Sequence, residues 1–326
     1  MSNDAPVFPP DCEADFIGEG AANLVFDVRL PGGEPAFPGN LLRVPKAGTS
    51  AFSHKELQEY WETTIAPLFG DDELVKQSLI PLTGSGIVPK LNAILAGNEA
   101  ARRQDFRGSA VADADYGMLV EDMRKQQATD RVMEFKPKWL SQSPSAPPKA
   151  IRCRNCARQA YGANKDGKTL GSEGRSRPLC PLKLIRCRGD KCHHGDEQAA
   201  TCEFCTIIET LLPSEVGVPE RVHDTYKRQL ARWIRTNGLL PRLQRLQADA
   251  EDLELAMTLR DCTCFLRIPA DDTSRGIEAK LGDLDRKNGE AKREYWANLE
   301  RKLAQGGYYH GTESPRQKTA CWLERQ

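Results

Sequence analysis

The sequence of 326 residues lacks a long apolar run, since no stretch approaches the ~18 consecutive apolar residues that a membrane-spanning helix needs. Its start, MSNDAPVFPPDCEADF, has neither the basic region nor the apolar core of an export signal. It also lacks a charge imbalance, with 46 basic and 46 acidic residues, so bulk charge favours no class of partner. These absences predict a soluble intracellular protein that is neither secreted nor inserted in a membrane.

A disulfide framework is not expected, because the chain has an odd number of cysteines, 11, and no export signal. Reduced thiols or a metal site are the alternatives. One group of four cysteines has the spacing of a zinc knuckle, in which His193 or His194 would be substitute ligands. Cys153 and Cys156 form a further pair. The predicted ligands of a structural Zn²⁺ are Cys187, Cys192, Cys202 and Cys205. Plain buried thiols are the competing interpretation.

Basic residues are concentrated in the middle of the chain. Between Phe135 and Lys191 there are 14 Lys and Arg residues against 3 Asp and Glu residues. Such a segment is typical of a surface that binds a polyanion. One hypothesis is a zinc-containing nucleic-acid-binding module over residues 150–206, which would explain the cysteines and the basic excess together.

The length and the pattern of elements predict an α+β protein of two lobes, because single cores seldom grow far beyond ~250 residues. Residues 15–30 read as strand, glycine-rich turn and strand, and Asn40–Pro45 reads as a further strand. Helical spacing follows in residues 51–66, in residues 222–257 with a break near Asn237, and in residues 290–303. We place the lobe boundary after residue 120, giving an antiparallel-sheet N-terminal lobe (1–120) and a mixed α/β C-terminal lobe (121–326).

A late hairpin is predicted to bring three acidic residues together. One strand begins near Asp261 and the next ends near Asp283 and Asp285, and in an antiparallel pair these two ends are neighbours. Carboxylates gathered in this way repel one another unless a cation joins them, and their hard oxygen atoms suit Mg²⁺. The alternative is a group of strand-end acids that simply face water.

The glycine-rich turn, Gly18 to Asn23, leaves backbone N–H groups free to face phosphate, although a GxGxxN turn alone is a weak signal. Arg43 lies on a following strand, and Glu121 and Asp122 end an apolar strand. Together with the late aspartates, this order is that of a protein-kinase-like cleft, with a loop over the phosphates, a cation, a hinge and acids on the metal. The active site is therefore predicted to lie in a cleft between the lobes.

The motif Glu134-Phe-Lys-Pro-Lys138 is the sharpest local signal. Pro137 fixes the backbone between two lysines, so Lys136 and Lys138 are expected to point to the same side of an extended segment. Paired ammonium groups favour a phosphorylated ligand, and one of them would stabilise charge on a transferring phosphoryl group. An edge strand kept soluble by lysines is the alternative.

Several motifs in one order resemble a known family. They are GEGAANLVF, Leu-Arg-Val-Pro-Lys at 42–46, Glu134-x-Lys-Pro-Lys138, Cys180-Pro-Leu, Thr258-Leu-Arg-Asp-Cys-Thr263 and Gly282-Asp-Leu-Asp285 with Lys287. The chain resembles the inositol-pentakisphosphate 2-kinases, and YWANLERKLAQGGYYHG looks like fungal members. The resemblance implies ATP- and Mg²⁺-dependent phosphorylation of inositol 1,3,4,5,6-pentakisphosphate at its 2-hydroxyl, by a monomer of the nucleus or cytoplasm, and nucleic acid is not an expected partner.

The resemblance also implies roles for matching residues. Asp261 would be the catalytic acid–base residue, Lys136 would act on the moving phosphoryl group, and Mg²⁺ would be held by Asp261, Asp283 and Asp285. ATP would be bound by Gly18, Gly20, Ala21, Ala22, Asn23, Arg43, Glu121, Asp122, Met123 and Glu134. Substrate phosphates would be bound by Arg107, Lys136, Lys138, Lys287 and Tyr295.

Three positions depart from the basic residues that the family offers to substrate. They hold Gly48, Gly162 with Lys165 nearby, and Ala291 beside Lys292. These gaps leave a second hypothesis open, in which the chain is a catalytically weak scaffold that binds inositol phosphates.

Overall fold

The computed structural model describes residues 6–171, 178–189, 203–270 and 275–325. The chain divides into two compact units, Met1–Met123 and Arg124–Gln326, whereas the sequence analysis placed a boundary after residue 120. Both units combine an antiparallel sheet with helices, so the protein is α+β. Among the helices in the described ranges, none is long and apolar enough to cross a bilayer.

The first unit contains a five-stranded antiparallel sheet. Its strands are β1 (Glu13–Glu19), β2 (Asn23–Arg29), β3 (Asn40–Pro45), β4 (Gln77–Pro81) and β5 (Tyr116–Glu121), in the order β1-β2-β3-β5-β4. The helices are α1 (His54–Tyr60) and α2 (Ile87–Gly97). A π-helical turn, Trp61–Ile65, continues α1, so the helical segment predicted over 51–66 is present with a local change of winding.

One face of this sheet forms the core of the first unit. Leu24, Phe26 and Leu42 from the strands are fully buried and pack with Ile87 and Leu91 of α2. Burying each such side chain contributes about 1.5–3 kcal/mol, which is what fixes α2 against the sheet. The strands β1 and β2 are thereby held on either side of the glycine-rich turn.

The second unit has a three-stranded antiparallel sheet in the order β6-β7-β8, from β6 (Arg131–Phe135), β7 (Thr263–Ile268) and β8 (Glu278–Gly282). The central strand β7 is buried along most of its length. Seven helices belong to this unit within the described ranges: α3 (Arg154–Lys165), α4 (Pro181–Arg186), α5 (Glu203–Leu211), α6 (Glu220–Thr236), α7 (Leu239–Asp249), α8 (Leu253–Leu259) and α9 (Gly289–Gln305).

The helical region predicted over 222–257 is divided twice. The predicted break near Asn237 is present, and there the Asn237 side chain donates to the carbonyl of Trp233 and accepts from the N–H of Leu240. A second break, before α8, was missed by the sequence analysis. Asp252 caps the start of α8 by accepting from the N–H of Leu255, whereas α7 has already ended at Asp249. This second break directs α8 toward the sheet end that carries Asp261.

Candidate active site

Three strand ends meet at one edge of the sheet in the second unit. Phe135 at the end of β6 pairs with Cys264 near the start of β7, and Thr263 at the start of β7 pairs with Gly282 at the end of β8. The residues that follow β6, precede β7 and follow β8 therefore lie side by side. This edge brings the Lys136–Lys138 segment, Asp261 and Asp283 together.

Asp261 is surrounded by three ammonium groups. Its Oδ1 lies 2.7 Å from Nζ of Lys138 and 3.6 Å from Nζ of Lys136, and its Oδ2 lies 3.1 Å from Nζ of Lys287. Partial burial opposes ionisation, but the charges of Lys287, Lys138 and Lys136 outweigh it and hold the pKa of Asp261 well below its usual range. Asp261 is therefore an ionised acceptor at neutral pH.

Lys136 bridges the two aspartates. Its Nζ lies 2.6 Å from Oδ2 of Asp283 and donates to the backbone carbonyl of Asp261 at 2.9 Å. Burial lowers the pKa of Lys136, but the charges of Asp283 and Asp261 more than compensate and raise it. The cation between these two carboxylates is thus the ammonium group of Lys136, whereas the sequence analysis expected Mg²⁺ there.

The backbone differs from the expected extended segment. Strand β6 ends at Phe135, and Lys138 has a left-handed φ of 53°, as Asp283 does with a φ of 56°. Non-glycine residues rarely adopt this conformation, and it persists only where the surrounding structure enforces it. The two lysines reach the same carboxylate, but through a turn at Lys138 and not through the strand alternation that predicted it.

Gln247 on α7 holds this turn and was not identified from the sequence. Its amide donates to the carbonyls of Lys138 at 2.8 Å and Leu259 at 3.0 Å, and its Oε1 accepts from the N–H of Leu140 at 2.9 Å. The side chain is almost fully buried. It connects the lysine segment to the end of α8, which leads directly into Asp261. No sequence motif signals this residue, because a lone glutamine on an amphipathic helix looks like a surface position.

Three further residues of this unit were predicted to belong to the site: Asp285, Tyr295 and Glu134. Asp285 is half-buried, and its carbonyl accepts from the hydroxyl of Thr258 at 3.1 Å. Tyr295 is exposed on α9, and Glu134 is exposed on β6. The structure therefore brings Lys136, Lys138, Asp261, Asp283 and Lys287 into one group, which we call the lysine–aspartate cluster.

The glycine-rich turn of the first unit has room for side chains at both of its glycines. Neither Gly18 nor Gly20 has a positive φ, and a Cβ atom added at either would meet no atom within 4 Å. The fold itself thus does not require glycine at these positions. The N–H of Gly20 donates to the carbonyl of Asn23, and the Asn23 side chain lies 2.9 Å from Nε2 of His54. The N–H of Gly20 is therefore not free to face phosphate as the sequence analysis expected, although both glycines have room for a side chain.

A buried ion-pair group anchors this turn, and the sequence analysis missed it. Glu19, between the two glycines, lies 2.6 Å from Nζ of Lys46 and 2.8 Å from a guanidinium nitrogen of Arg102. All three side chains are at least nine-tenths buried. The hydrogen bond from Arg102 is the largest influence that holds the pKa of Glu19 below its usual value, and Lys46 adds to it. The sequence did not predict this contact, because Glu19 and Arg102 are far apart in the chain and Arg102 lies in a loop without a periodic pattern.

The other predicted nucleotide and substrate residues of the first unit are spread along the sheet and its loops. Arg43 lies on β3, with a guanidinium nitrogen 3.8 Å from the sulfur of Met118. Glu121 ends β5 and accepts from the N–H of Lys76, and Met123 is buried. Arg107 is exposed, but its guanidinium donates to the backbone carbonyls of Ala100 and Arg102. Exposed Ala21 and half-buried Ala22 lie in the turn, and half-buried Asp122 follows β5.

Comparison with known proteins identifies the family. A family model described as inositol-pentakisphosphate 2-kinase matches residues 16–255 and 249–302. The inositol-pentakisphosphate 2-kinase of Yarrowia lipolytica is 30% identical over 192 residues, covering 54% of this chain and 53% of the relative. That of Kluyveromyces lactis is 32% identical over 171 residues, covering 52% and 48%. The chain spans about half the length of the curated relatives it matches. Because the family model matches from residue 16 to residue 302, the chain belongs to the inositol-pentakisphosphate 2-kinase family.

Proposed function

We propose that the chain transfers the γ-phosphoryl group of ATP to the 2-hydroxyl of inositol 1,3,4,5,6-pentakisphosphate, producing inositol hexakisphosphate and ADP. The two fungal relatives carry the name of this 2-kinase. The observation that carries the proposal is the lysine–aspartate cluster, in which three ammonium groups surround Asp261. Phosphoryl transfer needs such positive charge where phosphate oxygens gather.

Asp261 is assigned as the residue that orients the attacking hydroxyl. Because its pKa lies below the usual range, it is a weak base toward the free hydroxyl. It accepts the proton as the new oxygen–phosphorus bond forms and the oxygen loses basicity, while the bond to the ADP oxygen breaks. Lys136 stabilises the negative charge on the phosphoryl oxygens during this exchange, and Lys138 and Lys287 bind phosphate groups of the substrate.

Mg²⁺ fits the carboxylates at this edge of the sheet. The ammonium group of Lys136 stands between oxygens of Asp261 and Asp283, so the pair already attracts a cation there. Carboxylate oxygens are the ligands that Mg²⁺ prefers, and Asp283 and Asp261, with Asp285 close by in the chain, would hold it. When bound, the ion supplies charge neutralisation of the nucleotide phosphates.

The first unit is proposed to bind ATP. The open glycine face at Gly18 and Gly20 offers space to phosphate, and Arg43 supplies a cation from β3. Glu121 to Met123, together with Glu134, would bind the adenosine part. We propose that residues of both units contribute to the binding of one nucleotide.

The substrate is exceptionally anionic. Each phosphate carries about −1.5 to −2 charge near neutral pH, so a pentakisphosphate brings roughly −8 to −10. Lys138 and Lys287 are well placed for it because both already stand in the lysine–aspartate cluster. Tyr295 is exposed and available, while the backbone bonds of Arg107 indicate that it also supports its own loop.

A kinase assay with ATP, Mg²⁺ and a panel of inositol phosphates tests the proposal. We expect pentakisphosphate to be converted to hexakisphosphate, and Lys136→Met to lower kcat by about 10²–10³-fold without lowering the melting temperature. The control is Lys302→Met, an exposed lysine in the last turn of α9, which should leave kcat unchanged. Normal turnover in the Lys136 variant would refute its assigned role.

The scaffold hypothesis keeps one observation in its favour, the uncharged residues Gly48, Gly162 and Ala291 at positions where the resemblance leads us to expect basic ones. Calorimetric titration with inositol pentakisphosphate separates the two functions. Binding without turnover in the presence of ATP and Mg²⁺ would favour the scaffold, and turnover would exclude it.

A further inference from the structure

Two guanidinium groups lie over the indole ring of Trp139, the residue that follows Lys138. The guanidinium carbon of Arg260 is 4.1 Å from the ring centroid, and that of Arg154 is 4.3 Å from it. Trp139 is buried, and Arg260 directly precedes Asp261. The neighbour of Lys138 therefore contacts the neighbour of Asp261, while Lys138 and Asp261 themselves form an ion pair at 2.7 Å. We call Trp139, Arg154 and Arg260 the indole–arginine group.

Arg260 depends on the indole for most of its contact. It follows the last residue of α8, and its guanidinium donates to the backbone carbonyl of Gln247 at 2.8 Å. Among the residues that the structure describes, no carboxylate lies within ion-pair distance of it. Burial, together with the charge of Arg154, lowers the pKa of Arg260 to about 10, so it is still a cation at neutral pH. A cation lies favourably over the electron-rich face of an indole, so Trp139 supplies the contact that a carboxylate would otherwise make.

Arg154 is held in place against a local preference. It is the first residue of α3, where the helix dipole disfavours a cation. Its Nε lies 2.8 Å from Oε2 of Glu300 on α9, and its N–H donates to the side chain of Gln142 at 3.1 Å. The other oxygen of Glu300 accepts from the hydroxyl of Tyr309. These contacts, and not helix propensity, keep the buried Arg154 guanidinium over the indole.

The start of α3 is also held by four buried cysteines that differ from the four predicted zinc ligands. The sulfur atoms that lie within 4.8 Å of one another are those of Cys153, Cys156, Cys180 and Cys321. Of the predicted ligands, Cys187 is buried after α4 and Cys205 lies on α5, while Cys192 and Cys202 lie outside the described residues. Because Cys153 directly precedes Arg154, its packing fixes the end of the helix that carries this guanidinium.

We propose that Trp139, held by Arg154 and Arg260, is a positioning residue that fixes Lys138 against Asp261. The inference rests on the proposed function, in which Lys138 binds substrate phosphate and Asp261 orients the attacking hydroxyl. Lys138 has a left-handed φ, which the surrounding structure must enforce. Gln247 holds the backbone of this turn, and the indole holds the next side chain against the residue that precedes Asp261. Misplacing reacting groups by about 1 Å is enough to lower a rate by orders of magnitude.

Steady-state kinetics of Trp139→Leu in the full chain test the role. We expect kcat to fall by about 10–100-fold and the KM for inositol pentakisphosphate to rise about tenfold, while the KM for ATP stays unchanged. Trp139→Phe keeps an aromatic face and should recover most of both losses. The matched control is Phe204→Leu, because Phe204 is a fully buried ring on α5 with the guanidinium carbon of Arg235 4.0 Å from its centroid. An equal loss in Phe204→Leu, or no recovery in Trp139→Phe, would overturn the proposal.

A double-mutant cycle shows whether Trp139 acts through Lys138. If it does, little is left for Trp139 to influence once the ammonium group of Lys138 is removed. In the Lys138→Met background, Trp139→Leu should therefore change the KM for inositol pentakisphosphate by less than about twofold. A general loss of stability would instead give effects that multiply, as for sites that do not interact. Multiplied effects on this KM would refute the positioning role.

Hydrogen exchange separates this inference from the proposed function, because it needs no substrate. Amides of residues 136–141 and 259–262 should exchange at least about tenfold faster in Trp139→Leu than in Phe204→Leu. If Trp139→Leu does not fold, Arg260→Met, which keeps an unbranched side chain but removes the guanidinium, should show the same pattern. A wild-type chain without turnover would overturn the proposed function. Unchanged exchange of both segments in a chain that does turn over would overturn the positioning role alone.

Discussion

Gln247 offers the most direct test of how the lysine–aspartate cluster is held. Its side chain makes three hydrogen bonds to backbone groups, at Lys138, Leu140 and Leu259. We consider Gln247→Met, which keeps the length and volume of the side chain but removes its donor and acceptor. The turn that carries Lys138 and the end of α8 that leads into Asp261 then lose their common partner.

The expected destabilisation follows from the groups left behind. The carbonyl of Leu259 keeps the thiol of Cys262 as a donor, at 3.3 Å, so the loss falls mainly on the N–H of Leu140 and the carbonyl of Lys138. A buried backbone group deprived of its partner costs about 1–3 kcal/mol, so two groups give about 2–6 kcal/mol. The matched control is Gln244→Met on the same helix, where one bond to the carbonyl of Leu140 at 3.2 Å is lost, for about 1 kcal/mol.

Hydrogen exchange measured by mass spectrometry is the appropriate assay, because it reports each unit separately. Amides of residues 136–141 and 259–262 should exchange at least about thirtyfold faster in Gln247→Met, since each 1.4 kcal/mol is a factor of ten in an opening equilibrium. Amides of the first unit should not change. If Gln247→Met exchanges no faster than Gln244→Met, the argument that Gln247 positions the cluster is wrong.

Two further predictions concern the glycine-rich turn. Arg102 and Lys46 hold the pKa of Glu19 below its ordinary 4.5, so the stabilisation by Glu19 is present above that pH and is lost as the pH falls. Hydrogen exchange of residues 13–29 should show that Glu19→Gln flattens this acid dependence. The control Asp105→Asn, in an exposed ion pair, should leave it unchanged. Gly20→Ala should preserve the melting temperature but raise the KM for ATP about tenfold, because the added methyl group fits in the protein but occupies the space proposed for phosphate. Gly97→Ala in α2 is the control. An unchanged KM in Gly20→Ala would refute the phosphate assignment.

The sequence allowed the cluster to be predicted where local geometry decides it. The alternation of β7 and β8 sets the register, so Asp261 and Asp283 had to lie at one edge of the sheet. The left-handed turn at Lys138 was not predictable, because it depends on Gln247, more than a hundred residues away. Arg102 was missed for the same reason, since its partner Glu19 is distant in the chain and no periodic pattern connects them.

The arrangement around Asp261 also decides how its substitution should be interpreted. Without Asp261, the ammonium groups of Lys136, Lys138 and Lys287 lose the carboxylate that they share, and they repel one another. Asp261→Ala is therefore expected to weaken the folded second unit at low ionic strength as well as to abolish turnover, and added salt should restore stability but not kcat. Thermal melts at two salt concentrations beside the kinase assay check this. A salt-independent melting temperature equal to that of the wild type would show that the three lysines do not depend on Asp261 for their position.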